Sequence, residues 1–243
     1  MDLRLESVSV FFRSGCALDA VSLTFDRPGI VALVGANGAG KTTLLRVASG
    51  SLVPQLGTVR VDGEVLVRGR VDLRRRIAFM PDSAMPYGHW TPLRYAASVL
   101  RLYEADGPGA EKRVLDLLRA FGAIEYAERA LGDLSRGELY KSCLVPLLAS
   151  GAPLVLLDEP FASGMDPQGI EALESWVRGH TKNGGTVVYS TQWLDLAARF
   201  SDRTLVVDHG RVKAFLETSE IPTRLEGSDP IFDALRREVK EAS

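Results

Sequence analysis

Cysteine is scarce in this sequence: Cys16 and Cys143 are the only two in 243 residues. That number excludes a disulfide framework, neither thiol has a histidine or second cysteine at metal-ligand spacing, and a reducing compartment is the natural reading. Histidine is little commoner; His89, His180 and His209 are scattered along the chain, and each reads as a surface or structural residue. Long hydrophobic runs are missing too. The most apolar stretch, residues 143–157, is interrupted by Pro146, Gly151 and Pro153 and falls short of the roughly 20 residues needed to cross a bilayer. The opening MDLRLESVSV carries charges early and lacks the apolar centre of a secretory signal. Nor is there an excess of charge: 29 basic against 31 acidic side chains leave a formal net charge of −2, which gives no electrostatic footprint for nucleic acid. Neither internal repeats nor low-complexity segments occur. Any dealing with a membrane is therefore expected to pass through a partner.

What is present is an ordinary globular composition, 46% apolar and 25% charged. Its length suits one large α/β domain, or a core with a smaller insert. Over the first 25 residues apolar and polar positions alternate (Leu3, Leu5, Val8, Val10, then Val21, Leu23, Phe25) around Gly15, which predicts a two-strand antiparallel element. Residues 30–34 form an apolar run between Gly29 and Gly35 and read as a buried parallel strand. A helix from about Gly40 to Gly50 follows. Short β-like runs (TVRVDG, EVLVRG, IAFM) occupy residues 58–80, and the three arginines at 74–76 read as a solvated charged face. From about 83 to 150 the spacing becomes helical, at 93–103 and again at 110–121. Strand patterns return at 154–157, 186–190 and 204–207, with helical segments around 170–180 and 194–200. Strands alternating with helices imply a mostly parallel sheet covered on both faces. A short polar tail from about 221 is expected to end in a helix from Pro230 onward.

Residues 35–43, GANGAGKTT, follow the buried strand and open a helix. Backbone N–H groups then converge where the helix dipole favours an anion. Gly35, Gly38 and Gly40 allow the backbone close to phosphate oxygens. Lys41 reaches the β- and γ-phosphates, and the Thr42 hydroxyl is placed to ligate Mg²⁺. Asn37, Ala39 and Thr43 complete the loop. This pattern predicts a bound nucleoside triphosphate with magnesium, most naturally ATP. A second signal lies in LVLLDEP (154–160), where a hydrophobic strand ends in two carboxylates. Asp158 is expected to hold Mg²⁺ through its water shell, and Glu159 to polarise an attacking water. Alone, such a pair is as readily a solvated strand exit; its coexistence with Lys41 favours the functional reading.

With these motifs in view, the chain resembles the ATP-binding subunits of ABC transporters over roughly residues 3–215. LSRGE (134–138) is similar to the family signature LSGGQ: Ser135 and Gly137 match, Arg136 and Glu138 depart. The resemblance implies that this segment meets the γ-phosphate held by the other monomer of a head-to-tail dimer, while the same residues also suit a helix N-cap. Lys141 stands where arginine is usual, and Pro146 is expected to kink its helix. SGMDP (163–167) looks like the D-loop, with Asp166 facing the partner subunit. Phe12 falls where an aromatic residue stacks on adenine; a plain core phenylalanine is the rival. IAFMPD (77–82) ends in Asp82 in place of a magnesium-ligating glutamine, and YSTQW (189–193) carries Gln192 in place of a histidine that grips the γ-phosphate.

The implied fold is a P-loop NTPase core with a mostly parallel sheet, an N-terminal antiparallel β subdomain and an inserted helical subdomain. In residues, this divides into a core of 1–82 and 151–220, a helical subdomain of about 83–150, and a tail of 221–243. The implied function is a peripheral ATPase on the cytoplasmic face of a membrane. It would drive separate transmembrane permease subunits in partnership with a second ABC ATPase, identical or different. Residues 83–90 (SAMPYGHW) suit a permease contact or a packed turn. The stretch TPLRYAASVLRLYE that follows looks like the first insert helix of exporters. Hydrolysis is expected to be slow, because Asp82 and Gln192 replace the usual residues. The alternatives are an ATP-gated regulatory or assembly protein with little turnover, and a soluble ABC ATPase. The latter is disfavoured by the lack of a long coiled-coil insertion or a second domain. A P-loop kinase would leave the signature segment unexplained.

Overall fold

The structure, a computed structural model, describes residues 1–83 and 87–221. Strands β1 (Leu3–Phe12) and β2 (Gly15–Phe25) form the expected antiparallel pair. Strand β3 (Gly29–Val34) is buried at every position. Its two faces feed different cores: Ile30, Ala32 and Val34 face the core lined by the helices at 167–182 and 194–200, and Val31 and Leu33 pack beneath β1 and β2. That is why the run is apolar throughout rather than alternating. Helix α1 (Lys41–Ala48) drives Leu44, Leu45 and Val47 into the second core.

Strands β4 (Leu56–Val61) and β5 (Glu64–Val65) complete an antiparallel sheet of order β2-β1-β4-β5. The EVLVRG run yields only the two residues of β5, and a short helix α2 (Val71–Arg74) follows. The arginines there are less free than a solvated face requires. Arg75 donates to the Leu102 carbonyl at 2.7 Å and pairs with Glu104 at 2.5 Å, while Arg76 pairs with Asp62.

Strand β6 (Ile77–Met80) leads into the insert, made of α3 (Pro92–Leu102), α4 (Ala110–Ala120) and α5 (Arg136–Ala149). Both predicted helices lie within a residue or so of their expected bounds. Thr91 caps α3, accepting from the Arg94 N–H at 3.2 Å, and Pro92 sits in the first turn where its missing N–H costs nothing. Helix α5 is buried along most of its length and runs on through Pro146 for three more residues. The chain then returns to the core as β7 (Leu154–Leu157), α6 (Pro167–Lys182), β8 (Thr186–Thr191), α7 (Leu194–Phe200), β9 (Arg203–Asp208) and β10 (Arg211–Glu217).

The main sheet has the order β10-β9-β3-β8-β7-β6; all its pairs are parallel except β10 on β9. The last strand was not foreseen. Its signal is the Asp208-His209-Gly210 turn, with His209 and Gly210 at φ 46° and 74°, followed by half-buried alternation. The predicted tail helix from Pro230 lies outside the described residues.

The register brings the phosphate loop, the Asp158–Glu159 pair, Gln192 and Asp82 to one edge. Val34 pairs with Thr191, while Leu157 pairs with both Tyr189 and Met80. The loops that follow β3, β8, β7 and β6 therefore leave side by side at the carboxyl ends of the strands, where open α/β sheets bind ligands.

Candidate functional site

The 35–43 loop leaves β3 with Gly35 buried, swings outward at Asn37 and Gly38, and re-enters at the buried Ala39. Gly38 and Gly40 take φ of 80° and 107°, a conformation that side chains resist. The loop is pinned from behind: the Gly210 N–H donates to the Ala39 carbonyl at 2.9 Å. No side chain caps α1 and no acidic residue lies in its first turn. The amide groups at the helix start thus face the loop as an uncapped donor cluster beside half-buried Thr42 and Thr43.

Lys41 is 5% exposed. Its Nζ donates to the Gly35 and Ala36 carbonyls at 2.7 and 3.1 Å and lies 3.3 Å from Glu159 Oε1. A buried ammonium is costly unless paired, and these three oxygens hold it over the loop.

Just past the end of β7, with β8 between it and β3, Asp158 is buried. Its Oδ1 accepts from Ser190 Oγ at 2.7 Å, and the same Ser190 oxygen accepts from the Glu159 N–H at 2.8 Å. One buried hydroxyl on β8 thus fixes both carboxylate residues. Glu159 occupies the left-handed region at φ 47°, directly before Pro160, where that conformation is disfavoured. Such a residue stores roughly 1–3 kcal/mol of strain and is kept only when its surroundings impose it. Burial pushes the Glu159 carboxyl above the usual carboxylate range; Lys41 opposes that shift, and the charges of Asp158 and Asp82 add to it. Gln192 follows Thr191 at the end of β8 and is half-buried.

The signature segment is built as a helix start. Ser135 Oγ accepts from the Glu138 N–H at 3.4 Å, and the Glu138 carboxylate accepts from the Ser135 N–H at 2.8 Å. This is a reciprocal capping box, a role that glutamate and glutamine can both fill. The backbone bond to Ser135 holds the Glu138 carboxyl below its ordinary range. Gly137 has a packing reason: a Cβ there would come within 2.2 Å of the Gly164 carbonyl. Asp166 caps α6 by accepting from the Gly169 N–H at 2.8 Å, and its other oxygen accepts from buried Lys141 at 2.9 Å. Both of its oxygens are therefore engaged within the chain.

Phe12 is 48% exposed at the end of β1, so the core alternative is excluded. Asp82 and Arg136, two departures from the family pattern, meet each other at 3.0 Å. Sequence reasoning missed that pairing and missed Ser190, which is one of several hydroxyl-bearing residues in β8 and carries no local mark of its role. Among the described residues no three His, Cys, Asp or Glu side chains converge to enclose a metal. The oxygen donors Thr42, Asp158 and Asp82 instead suit magnesium, which keeps several waters and takes one or two carboxylates beside substrate phosphates.

The fold and this edge define a phosphate-loop ATPase. The ABC transporter family matches residues 18–162. The chain is 28% identical over 210 residues to the SkfA peptide export ATP-binding protein SkfE of Bacillus subtilis, covering 86% of this chain and 87% of that one. It is 35% identical over 214 residues to the energy-coupling factor transporter ATP-binding protein EcfA of Methanoculleus marisnigri, covering 86% and 76%. A solved ATP-binding subunit of an ABC transporter superposes with a TM-score of 0.87 at 28% identity, over 99% of this chain and 100% of that one. A dimeric bacterial ABC transporter cassette, 24% identical with a TM-score of 0.76 over 89% and 98%, shares the fold. The chain belongs to the ABC transporter family as one of its ATP-binding subunits, an ATPase that takes ATP with Mg²⁺ and serves transport. Among the described residues no helix is long and apolar enough to cross a membrane.

Proposed function

We propose that this chain binds MgATP on residues 35–43, closes head to tail on a second ATPase subunit, and drives a separate permease from the cytoplasmic face of the membrane. The observation that carries the reading is the convergence of Lys41, Asp158 and Glu159 at one sheet edge, with Lys41 Nζ 3.3 Å from Glu159 Oε1. Lys41 and the amides of α1 hold the phosphates, and exposed Phe12 offers a stacking face to the base. Thr42 and Asp158, joined by Asp82, would hold magnesium through their oxygens, and the ion would supply positive charge to offset that of the bound phosphates. Glu159, with its raised affinity for a proton, is the base that accepts one from the attacking water. Gln192 donates a hydrogen bond through its amide but carries no charge. Its stabilisation of the developing negative charge is correspondingly weaker, and hydrolysis is slow. Ser135, Arg136, Gly137 and Glu138 face the partner's nucleotide.

The decisive measurement is steady-state hydrolysis beside ATP affinity. Glu159→Gln is expected to bind ATP normally and to lose hydrolysis by at least about 100-fold, the lower bound for a general base. Gln192→Ala is expected to lower the rate further; wild-type turnover at ordinary ABC transporter rates, unchanged on Gln192→Ala, would refute the slow-hydrolysis reading. A second reading, an ATP-gated regulatory subunit with little turnover, is favoured by Asp82 and Gln192 together. It predicts saturable ATP binding with hydrolysis near background even when permease subunits are present.

For the permease contact, support comes from the rim of the insert. Tyr87 is 64% exposed and lies tilted against Trp90 at 4.8 Å between centroids, and the Arg94 guanidinium lies 4.7 Å from the Trp90 ring centroid. Residues 84–86 of the same segment are outside the described residues. A partner ATPase with a histidine at the position of Gln192 would complement the altered site. Native complexes containing only two copies of this chain would argue against such asymmetry.

A further inference from the structure

Strands β7 and β8 lie side by side in parallel, with Leu157 opposite Tyr189. Leu156 and Val188 turn into the core they share with Leu44 and Leu45 of α1, whereas Leu157 and Tyr189 turn into the other core. Alternation therefore sends the next residues, Asp158 and Ser190, to the side of the sheet that α1 covers. Ser190 is wholly buried there. A serine hydroxyl has one proton to give and two lone pairs. A carboxylate only accepts and an amide N–H only donates, so the two bonds of Ser190 have fixed roles. Its proton goes to Asp158 Oδ1 at 2.7 Å, and a lone pair takes the Glu159 N–H at 2.8 Å.

Glu159 needs such a hold, because its φ of 47° lies in the left-handed region. Two ties keep it there. Its carbonyl accepts from the Ala162 N–H at 3.1 Å, and its N–H goes to Ser190. The downstream tie is backed by packing: Phe161 meets Tyr189 and Phe200 edge-on, at 5.4 and 5.6 Å between ring centroids. The upstream tie is a single hydroxyl. Its loss frees the N–H side of Glu159 to relax toward negative φ, carrying the carboxylate away from its place 3.3 Å from Lys41 Nζ.

We propose that Ser190 is a positioning residue for ATP hydrolysis: one hydroxyl sets the orientation of Asp158 and the backbone of Glu159 together. Its two hydrogen bonds go to these residues and not to the phosphate loop, so its effect falls on kcat rather than on KM. The inference rests on the reading of Glu159 as the base, and the test tells the two apart.

The test compares Ser190→Ala, Ser190→Cys and Ser190→Thr in the full chain. Cysteine fills nearly the same volume with a weak hydrogen-bonding group, so it keeps the packing if alanine does not fold. Alanine and cysteine are expected to lower kcat about 10- to 100-fold, the scale of a misplaced catalytic group, with KM for ATP within about two-fold. Threonine keeps the proton and the lone pairs and should recover at least part of the rate. A second readout uses the protein without nucleotide or metal. Hydrogen exchange of the Glu159 amide should speed up in Ser190→Cys, while the amides of Leu156 and Val188 keep their protection. Thr204→Val shows what loss of a buried strand hydroxyl does by itself. Thr204 is equally buried and its hydroxyl bonds to that of Thr218 at 3.0 Å, so kcat should not change. Unchanged kcat in both Ser190→Ala and Ser190→Cys overturns the proposal. So does faster exchange spread evenly over β7 and β8, which marks a general loosening, or a loss in Thr204→Val as large as in Ser190→Cys. If Glu159→Gln loses hydrolysis and the Ser190 variants do not, this inference fails alone. If all of them keep it, the reading of Glu159 as the base fails as well.

Discussion

In the proposed mechanism Glu159 concentrates the chemistry in one residue. Its backbone is held in the left-handed region and tied by its N–H to Ser190, while its carboxylate faces Lys41. Burial raises its proton affinity more than Lys41 lowers it. Deprotonation is therefore shifted upward from that of an ordinary glutamate, and the acid limb of hydrolysis should be shifted the same way. A pH–rate profile checks this, and a limb at or below the pKa of free glutamate would contradict it. The same shift acts on stability with a definite sign. A carboxyl whose folded pKa exceeds its unfolded value favours the folded state at low pH, and that contribution is lost as pH rises from the unfolded value through the folded one. Both Glu159 and Asp158 were legible in LVLLDEP, because an apolar run ending in two acids is a local pattern. Ser190, which fixes both of them, was not, because its role exists only once β8 lies beside β7.

At the scale of elements, α5 and α6 are joined through Lys141 and Asp166. Lys141 is 3% exposed, and its Nζ, 2.9 Å from Asp166, also lies 5.8 Å from the centre of the Tyr126 ring. Asp166 caps α6 as well, so Asp166→Ala removes two interactions at once. The cap is worth about 1 kcal/mol and the charge-assisted bond roughly 1.5–3 kcal/mol; with Asp166 half-exposed to water, a total loss of about 2 kcal/mol is expected. Asp166→Asn keeps a capping oxygen and should lose less. Urea unfolding of the two variants gives the comparison, and equal losses would show that the cap contributes little. Lys141 holds the Asp166 carboxyl below the usual range, so this contribution is present above the unfolded pKa and fades as pH falls through the folded one. The helices themselves were readable from their spacing. The ion pair between them was not, since Lys141 and Asp166 are 25 residues apart and no local rule relates them.

At the scale of the whole molecule, the signature segment sits on the helical insert and the phosphate loop on the core. Within one chain Ser135 and Glu138 cap their own helix, and Arg136 holds Asp82. A signature that serves ATP only from the partner's side requires association. Glu159→Gln with MgATP is therefore expected to elute as a dimer, and the same protein in EDTA without nucleotide as a monomer. Size-exclusion chromatography with light scattering reads this directly, and a monomer under both conditions would count against a composite site.

The sequence by itself determined the phosphate loop, the Asp158–Glu159 pair, the alternation of strands and helices, and the family. Each is a local pattern, written in residues a few positions apart whose periodicity and backbone demands do not depend on the rest of the chain. Only the tertiary structure decided that Asp82 faces Arg136, that Ser190 bridges two carboxylates, that Phe12 lies open, and that β10 closes the sheet. The Asp82–Arg136 and Ser190 contacts join segments tens of residues apart, set by strand order and helix packing, whereas β10 follows its partner strand across a two-residue turn.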